Sequence, residues 1–228
     1  MAEAPSFLNR QAEAADTQLA RFILALRSRG ITHPALLNAV ESTPRSAFLP
    51  EMRPGLLYEG IALPLPCGEE AAEPFTLLKM LALLDVRPGT RVLEIGTGSG
   101  WLTALMARLG AEGRSVERAR TLHISAKAAL ERLSLTSFTL IHGDGLAEET
   151  LGAEARTLDR LILTGAVESI APSLIARLAP RGIALAPVVA GQAVRLTLFR
   201  KAETGEITAQ DCGEMRIPPL REGALRRL

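Results

Sequence analysis

The sequence predicts an α/β fold in which a parallel sheet carries helices on both faces. Three observations lead there. Val92 to Ile95 is a short apolar run with Glu94 inside it, and glycines follow at 96, 98 and 100. Leu102, Leu105, Met106 and Leu109 then recur at helical spacing until Gly110. Strand, tight glycine turn and helix in that order open a nucleotide-type βαβ unit. Downstream, further short apolar runs alternate with helical patterns, as a parallel sheet requires.

In chain order, residues up to about 50 read as helical. Leu19, Phe22, Ile23 and Leu26 form one apolar stripe that stops near Gly30. Pro34 opens a second helix through Leu36, Leu37 and Val40, and Pro44 closes it. Leu49 to Gly68 is irregular, rich in Pro and Gly, and holds the only tyrosine, Tyr58. A helix from Pro74 to Leu84 puts Leu77, Leu78, Leu81 and Leu84 on one side, and Pro88-Gly89 turns into the first core strand. After the glycine turn and its helix, Ser115 to Glu117 reads as the end of a short second strand. Residues 119–133 follow as a helix, and Thr139 to His142 as a third strand running into Gly143-Asp-Gly145. Leu158 to Thr164 is a fourth strand, nearly continuous in its apolar character, as a strand covered on both faces is. Pro172 starts a helix that stops before Pro180, and Gly182 to Val188 is the fifth strand. Val194 to Phe199 alternates, the pattern of a strand with one exposed face.

Composition bounds the function. The chain has 228 residues, 47% hydrophobic and 22% charged, enough for one domain with a sizeable core. A net charge of +1 makes no electrostatic case for nucleic acid or an anionic membrane surface. No apolar run approaches the ~20 residues of a membrane span. The opening Met1-Ala-Glu-Ala-Pro-Ser lacks the basic and apolar regions of a signal peptide. Cys67 and Cys212 are too few for a disulfide framework, and no Cys/His cluster has metal-ligand spacing. The chain reads as a cytoplasmic, enzyme-sized domain with no metal; nothing in it sets the number of subunits.

The glycine spacing narrows the ligand. A dinucleotide fingerprint needs Gly or Ala three residues after Gly98, where Trp101 stands, and no P-loop Lys-Ser/Thr follows. What remains, Glu94-x-Gly96-Thr97-Gly98-Ser99-Gly100, resembles the first motif of the S-adenosylmethionine-dependent methyltransferases. That cofactor needs room beside the glycines, acids for its ribose hydroxyls, and polar contacts for adenine and the methionine end. Glu117 ends the second strand 23 residues after Glu94, close to the ~20-residue offset of a ribose-binding acid. Asp144, between glycines at the end of the third strand, is placed to accept from the adenine amino group.

Further residues narrow the resemblance to one family. Gln18-Leu, Arg29-Gly-Ile31 and Pro44-Arg-Ser-Ala-Phe-Leu-Pro50 resemble the N-terminal region of the protein-L-isoaspartate O-methyltransferases, as do Tyr58 and Ala62-Leu-Pro-Leu65. Ser115-Val-Glu-Arg118, Gly143-Asp-Gly145 and Arg216-Ile-Pro-Pro-Leu220 extend the likeness across most of the chain. The resemblance implies a Rossmann-like, doubly wound methyltransferase sheet within a single domain, 1–228. Its parts would be N-terminal helices and acceptor loop (1–85), cofactor-binding core (86–200) and a short C-terminal extension (201–228). It implies methylation of the α-carboxylate of L-isoaspartyl residues in a damaged peptide or protein. Carried over by match, Glu94, Gly96, Thr97, Gly98, Ser99 and Gly100 surround the cofactor. Glu117 and Arg118 take the ribose side, and Asp144 and Gly145 border the adenine.

One motif departs from the family. Where its members show Gly-Gln-Thr-Ile-Ser, then a residue and Pro, this chain has Gly68-Glu-Glu-Ala-Ala-Glu-Pro74, so Glu70 replaces the threonine and Ala72 the serine. An isoaspartyl carboxylate is already ionised at neutral pH and needs positioning rather than a base. Ala72 offers no hydroxyl for it. Each of Glu69, Glu70 and Glu73 that faced the acceptor at ~4 Å would repel it by about 1 kcal/mol in water and ~4 kcal/mol at an effective dielectric of 20. Three readings therefore stay open: an isoaspartyl methyltransferase, a relative acting on a different acceptor such as a small molecule, and a cofactor-binding protein without catalysis. In the second, Glu69 or Glu70 serves as base or counter-charge. Tyr58 is a further acceptor-side candidate.

Overall fold

The structure, a computed structural model, describes residues 7–151 and 157–225. The N-terminal hexapeptide, and with it the signal-peptide reading, lies outside the described residues, as do the outer limits of the 1–228 span. The chain begins with α1 (Phe7–Ser28) and α2 (Pro34–Glu41). Two short strands, β1 (Leu63–Pro64) and β2 (Glu70–Ala71), pair antiparallel ahead of α3 (Pro74–Leu84). Then come β3 (Arg91–Ile95), α4 (Trp101–Arg108), β4 (Glu112–Glu117), α5 (Arg120–Arg132), β5 (Phe138–His142), α6 (Glu148–Leu151), β6 (Leu158–Leu163) and α7 (Pro172–Ala176). The chain closes with β7 (Leu178–Ala190), β8 (Ala193–Lys201) and β9 (Ile207–Met215). No helix among the described residues is long and apolar enough to cross a membrane.

The seven long strands form one sheet in the order β5-β4-β3-β6-β7-β8-β9. β3 to β7 run parallel, and β8 and β9 return antiparallel at one edge. From β3 the chain winds outward through β4 to β5, then restarts on the other side at β6. That reversal leaves a crevice at the carboxyl ends of β3, β4 and β6, where ligands bind in open α/β sheets.

The two-residue strand period divides the core. Val92, Ile162 and Leu185 face one side, against the apolar stripes of α1 to α4. Leu93, Ile95, Leu161, Leu163 and Ala184 face the other, with Leu151 of α6 and Leu174 of α7. On the thicker side Trp101 is 1% exposed, and its indole N–H donates to Thr43 O at 2.9 Å, locking α4 to the chain after α2. Arg160 closes α3 by donating Nε to Leu84 O at 2.5 Å and Nη2 to Asp85 O at 3.0 Å.

Three expectations need correction. The second core strand is longer than Ser115–Glu117: it starts at Glu112, where Glu112-Gly-Arg pairs with β3 and Gly113-Arg114 pairs with β5 as well. A segment with no apolar residue reads as loop, yet backbone pairing on two sides makes it a central strand. The fifth strand runs Leu178–Ala190 rather than Gly182–Val188, because a bulge absorbs Pro180 to Gly182 while the flanking residues keep pairing with β6. The sheet is also not wholly parallel. β9, for which the polar stretch Ile207-Thr-Ala-Gln-Asp carries no apolar alternation, is an exposed edge strand held by β8.

Candidate active site

A cleft of about 600 Å³ opens at the switch point, bordered by Gly96, Gly98, Glu117, Arg118, Asp144 and Gly145. A smaller lobe of about 360 Å³ adjoins it, lined by Glu70, Ala72, Glu94, Thr97, Ser99 and Thr164. Gly96, Gly98, Glu70 and Thr164 border both. Thus the glycine turn divides one cavity into two lobes.

The glycines do different work. Gly98 has φ +57, and a Cβ there would meet only Leu65 Cδ1 at 3.9 Å, so its backbone faces open space that a ligand can enter. Gly100 borders neither lobe. Its φ is +88, and a Cβ would press on Ala126 Cβ at 2.9 Å, so it lets α4 pack tightly on α5.

Two buried carboxylates flank the turn. Glu94 is wholly buried; its Oε2 accepts from Ser115 Oγ at 2.6 Å and from Thr103 Oγ1, while Oε1 has no partner among the described residues. Burial drives its pKa up to about 7 against the pull of those two hydroxyls, and the Glu117 charge adds to the rise. Thr97 is held by a 2.5 Å hydrogen bond between its hydroxyl and that of Ser115. Glu117, at the end of β4, accepts from Gly98 N–H and from Ala119 N–H, each at 2.8 Å. Burial raises its pKa too, against those two amides. Each carboxylate oxygen has a second lone pair, so Glu117 can still accept from a ligand.

Asp144 borders the cleft with both oxygens already engaged. Oδ1 accepts from Leu146 N–H at 2.9 Å, and Oδ2 from Gly223 N–H at 2.7 Å. The Gly223 contact belongs to a C-terminal strap within the extension that the resemblance implied at 201–228. Pro218 O accepts from Ala166 N–H and Leu220 N–H donates to Ala166 O, at 2.9 and 2.8 Å. At the far end Leu225 N–H donates to Arg118 O at 2.7 Å. Pro218 to Arg221 therefore roof the larger lobe. Thr164 and Gly165 complete its wall; their position just beyond a buried parallel strand was the signal that could have found them.

The three glutamates of the divergent segment do not share one role, which corrects the expectation of up to three charges facing the approach. Glu69 Oε1 pairs with Arg118 Nη1 at 2.9 Å, both side chains largely buried. Glu73 caps α3, its Oε2 accepting from Thr76 Oγ1 at 2.6 Å and Thr76 N–H at 3.3 Å. Only Glu70 is exposed, and it borders both lobes. Ala72 lines the smaller lobe, as expected of the residue in the serine's place. Tyr58 lies elsewhere: its ring packs 4.9 Å from that of Phe22, and it borders neither lobe. As a cap, Glu73 is expected to lose about 1 kcal/mol of stability on Glu73→Ala. Urea unfolding checks this; an unchanged midpoint would free Glu73 for another role.

Comparisons with known proteins agree on one family. Residues 17–224 match the family described as protein-L-isoaspartate(D-aspartate) O-methyltransferase. A protein-L-isoaspartate O-methyltransferase of Caulobacter vibrioides (strain NA1000 / CB15N) is 35% identical over 217 residues, 95% of this chain and 96% of that protein. One from Bradyrhizobium sp. (strain ORS 278) is 38% identical over 208 residues, 91% and 95% of the two chains. Among solved structures, a Plasmodium falciparum chain named as a protein-L-isoaspartate O-methyltransferase, in complex with S-adenosyl-L-homocysteine, superposes with a TM-score of 0.76. It is 20% identical and covers 88% of this chain and 97% of its own, a likeness of fold.

Proposed function

Because this chain belongs to the protein-L-isoaspartate(D-aspartate) O-methyltransferase family, we propose that it methylates the α-carboxylate of L-isoaspartyl residues in peptides and damaged proteins, using S-adenosylmethionine. We further read it as a cytoplasmic enzyme. The observation that carries the proposal is the open-faced turn at Gly98, set between two buried carboxylates at the switch point.

The residues fit the cofactor. Glu94 Oε1, buried and unpartnered, suits the cationic methionine end. Glu117 keeps lone pairs for ribose hydroxyls, and Asp144 with Gly145 borders the region for adenine. When bound, the cofactor supplies a sulfonium methyl group, whose transfer to a carboxylate oxygen yields a methyl ester and a neutral thioether. The chain itself orients and encloses. The Glu69–Arg118 pair and the 218–221 strap wall the larger lobe. The smaller lobe takes the methionine end beside Glu94 and, next to it, the acceptor. There Ser99 Oγ accepts from Trp101 N–H at 3.4 Å and keeps its own proton for a ligand, a hydroxyl in reach despite Ala72.

The reading with a different acceptor is not favoured, since two of the three glutamates that suggested it have partners of their own. Methyl transfer from labelled cofactor to an isoaspartyl peptide and to its aspartyl twin tests the function. Selective labelling of the isoaspartyl peptide is expected; labelling of neither would overturn it. Replacing Glu70 by Thr together with Ala72 by Ser removes the one outward charge and adds two hydroxyls. Methyl transfer should rise about five- to tenfold, as ~1 kcal/mol of relieved repulsion predicts, with cofactor affinity nearly constant. A rate that stays level would show that Glu70 points away from the acceptor.

A further inference from the structure

Arg45 lies in the single turn Arg45–Ala47 after α2 and is 1% exposed. Its Nη1 donates to Leu57 O at 2.6 Å and its Nη2 to Ala72 O at 2.7 Å. One guanidinium thereby joins the loop before β1 to the wall of the smaller lobe. Its own N–H donates to the Tyr58 hydroxyl at 2.9 Å, and its Cζ lies 5.3 Å from the Trp101 ring centroid. Among the described residues Nε has no partner and Arg45 forms no ion pair. Glu73, the acid whose charge reaches it, is turned to cap α3. Burial lowers the guanidinium pKa to about 10, so the group stays charged at neutral pH.

A buried cation held by carbonyls, with no ion pair among the described residues, serves a fold less well than an apolar side chain of similar volume. A methionine could fill the space beside Trp101 but would leave no positive charge behind Ala72. The smaller lobe otherwise shows an acceptor the acid Glu70, since Glu94 answers the cationic end of the cofactor, and Arg118 is taken by Glu69. Arg45 is the cation bonded to that lobe's wall.

We propose that Arg45 is a positioning residue for the acceptor: through the Ala72 carbonyl it fixes the wall of the smaller lobe, and its charge makes that lobe select a carboxylate over a neutral group of the same shape. The inference rests on the isoaspartyl reading above, and the test separates the two.

The protein is saturated with S-adenosylhomocysteine, which has no methyl to give. Calorimetry then compares an isoaspartyl peptide with the same peptide bearing an α-carboxamide. Wild type is expected to favour the carboxylate by about tenfold or more, Arg45→Lys to keep most of that preference, and Arg45→Met to drop to about threefold or less, as loss of a buried charge requires. Arg45→Gln, neutral but still able to donate to Ala72 O, should behave like Arg45→Met. Wild type without any preference would sink the isoaspartyl reading itself. A preference that survives in both neutral variants would overturn the role of Arg45 while leaving that reading intact. Loss of S-adenosylhomocysteine binding in both neutral variants would overturn it too, showing that the cation holds the whole fold rather than one lobe.

Discussion

Glu94→Gln is expected to stabilise the ligand-free protein by about 3 kcal/mol at pH 8 and hardly at all at pH 4. The Glu94 carboxyl is fully buried beside another acid, with a pKa near 7 against an ordinary 4.5. Below pH 4.5 it is protonated in both folded and unfolded chains and has no pH-dependent effect. Between about 4.5 and 7 the unfolded chain gives up the proton while the folded chain keeps it. The folded state then binds more protons, and stability falls as pH rises. Above 7 the loss is complete. Glutamine matches the protonated acid, keeps an oxygen for Ser115 and Thr103, and never ionises. Urea unfolding of both proteins at pH 4, 6 and 8 checks this, and parallel curves would refute it. The same variant should bind S-adenosylmethionine more weakly, by about 1.5–3 kcal/mol for a lost hydrogen bond to a charged group. Gain of stability with loss of affinity is what a carboxylate held for a cationic ligand, rather than for the fold, predicts.

Glu117→Ala should weaken binding of S-adenosylhomocysteine by about 1.5–3 kcal/mol, or roughly 10- to 150-fold. Two causes contribute. The alanine has no oxygen for ribose hydroxyls, and it releases Gly98 and Ala119, whose amides Glu117 holds in place. A 2′,3′-dideoxyribose analogue separates them. Wild type should bind the analogue much less tightly than the parent, while Glu117→Ala should bind both alike. If the variant keeps the discrimination, the ribose is held elsewhere and Glu117 only shapes the turn.

Much of this site was legible before any coordinates. Glycines at alternate positions after an apolar strand can only be a tight turn facing a ligand or a close neighbour. Glu94 and Glu117 sit on the same two strands that the pattern predicted. Pro74 to Leu84 emerges as α3 with those same ends, because proline at the start and an apolar stripe are local signals. The C-terminal extension was implied by the resemblance through Arg216 to Leu220, but its partners were not legible. Its hydrogen bonds to Asp144, Ala166 and Arg118 join stretches far apart in the chain, and Pro-Pro-Leu carries no periodicity to betray a partner.

By itself, the sequence placed most of the core strands and helices, the glycine turn and its two acids, since these rest on short-range periodicity and adjacent residues, and its resemblance implied the family. Only the tertiary structure decided how three glutamates divide their roles. Glu69, Glu70 and Glu73 are chemically alike and nearly contiguous. Yet Glu69 meets Arg118, 49 residues away, Glu73 meets the start of its own helix, and Glu70 is the exposed one, bordering both lobes. The same holds for Gly100, which the motif assigns to the ligand and packing assigns to Ala126. A side chain's role is set by what the fold brings against it, and no local pattern contains that.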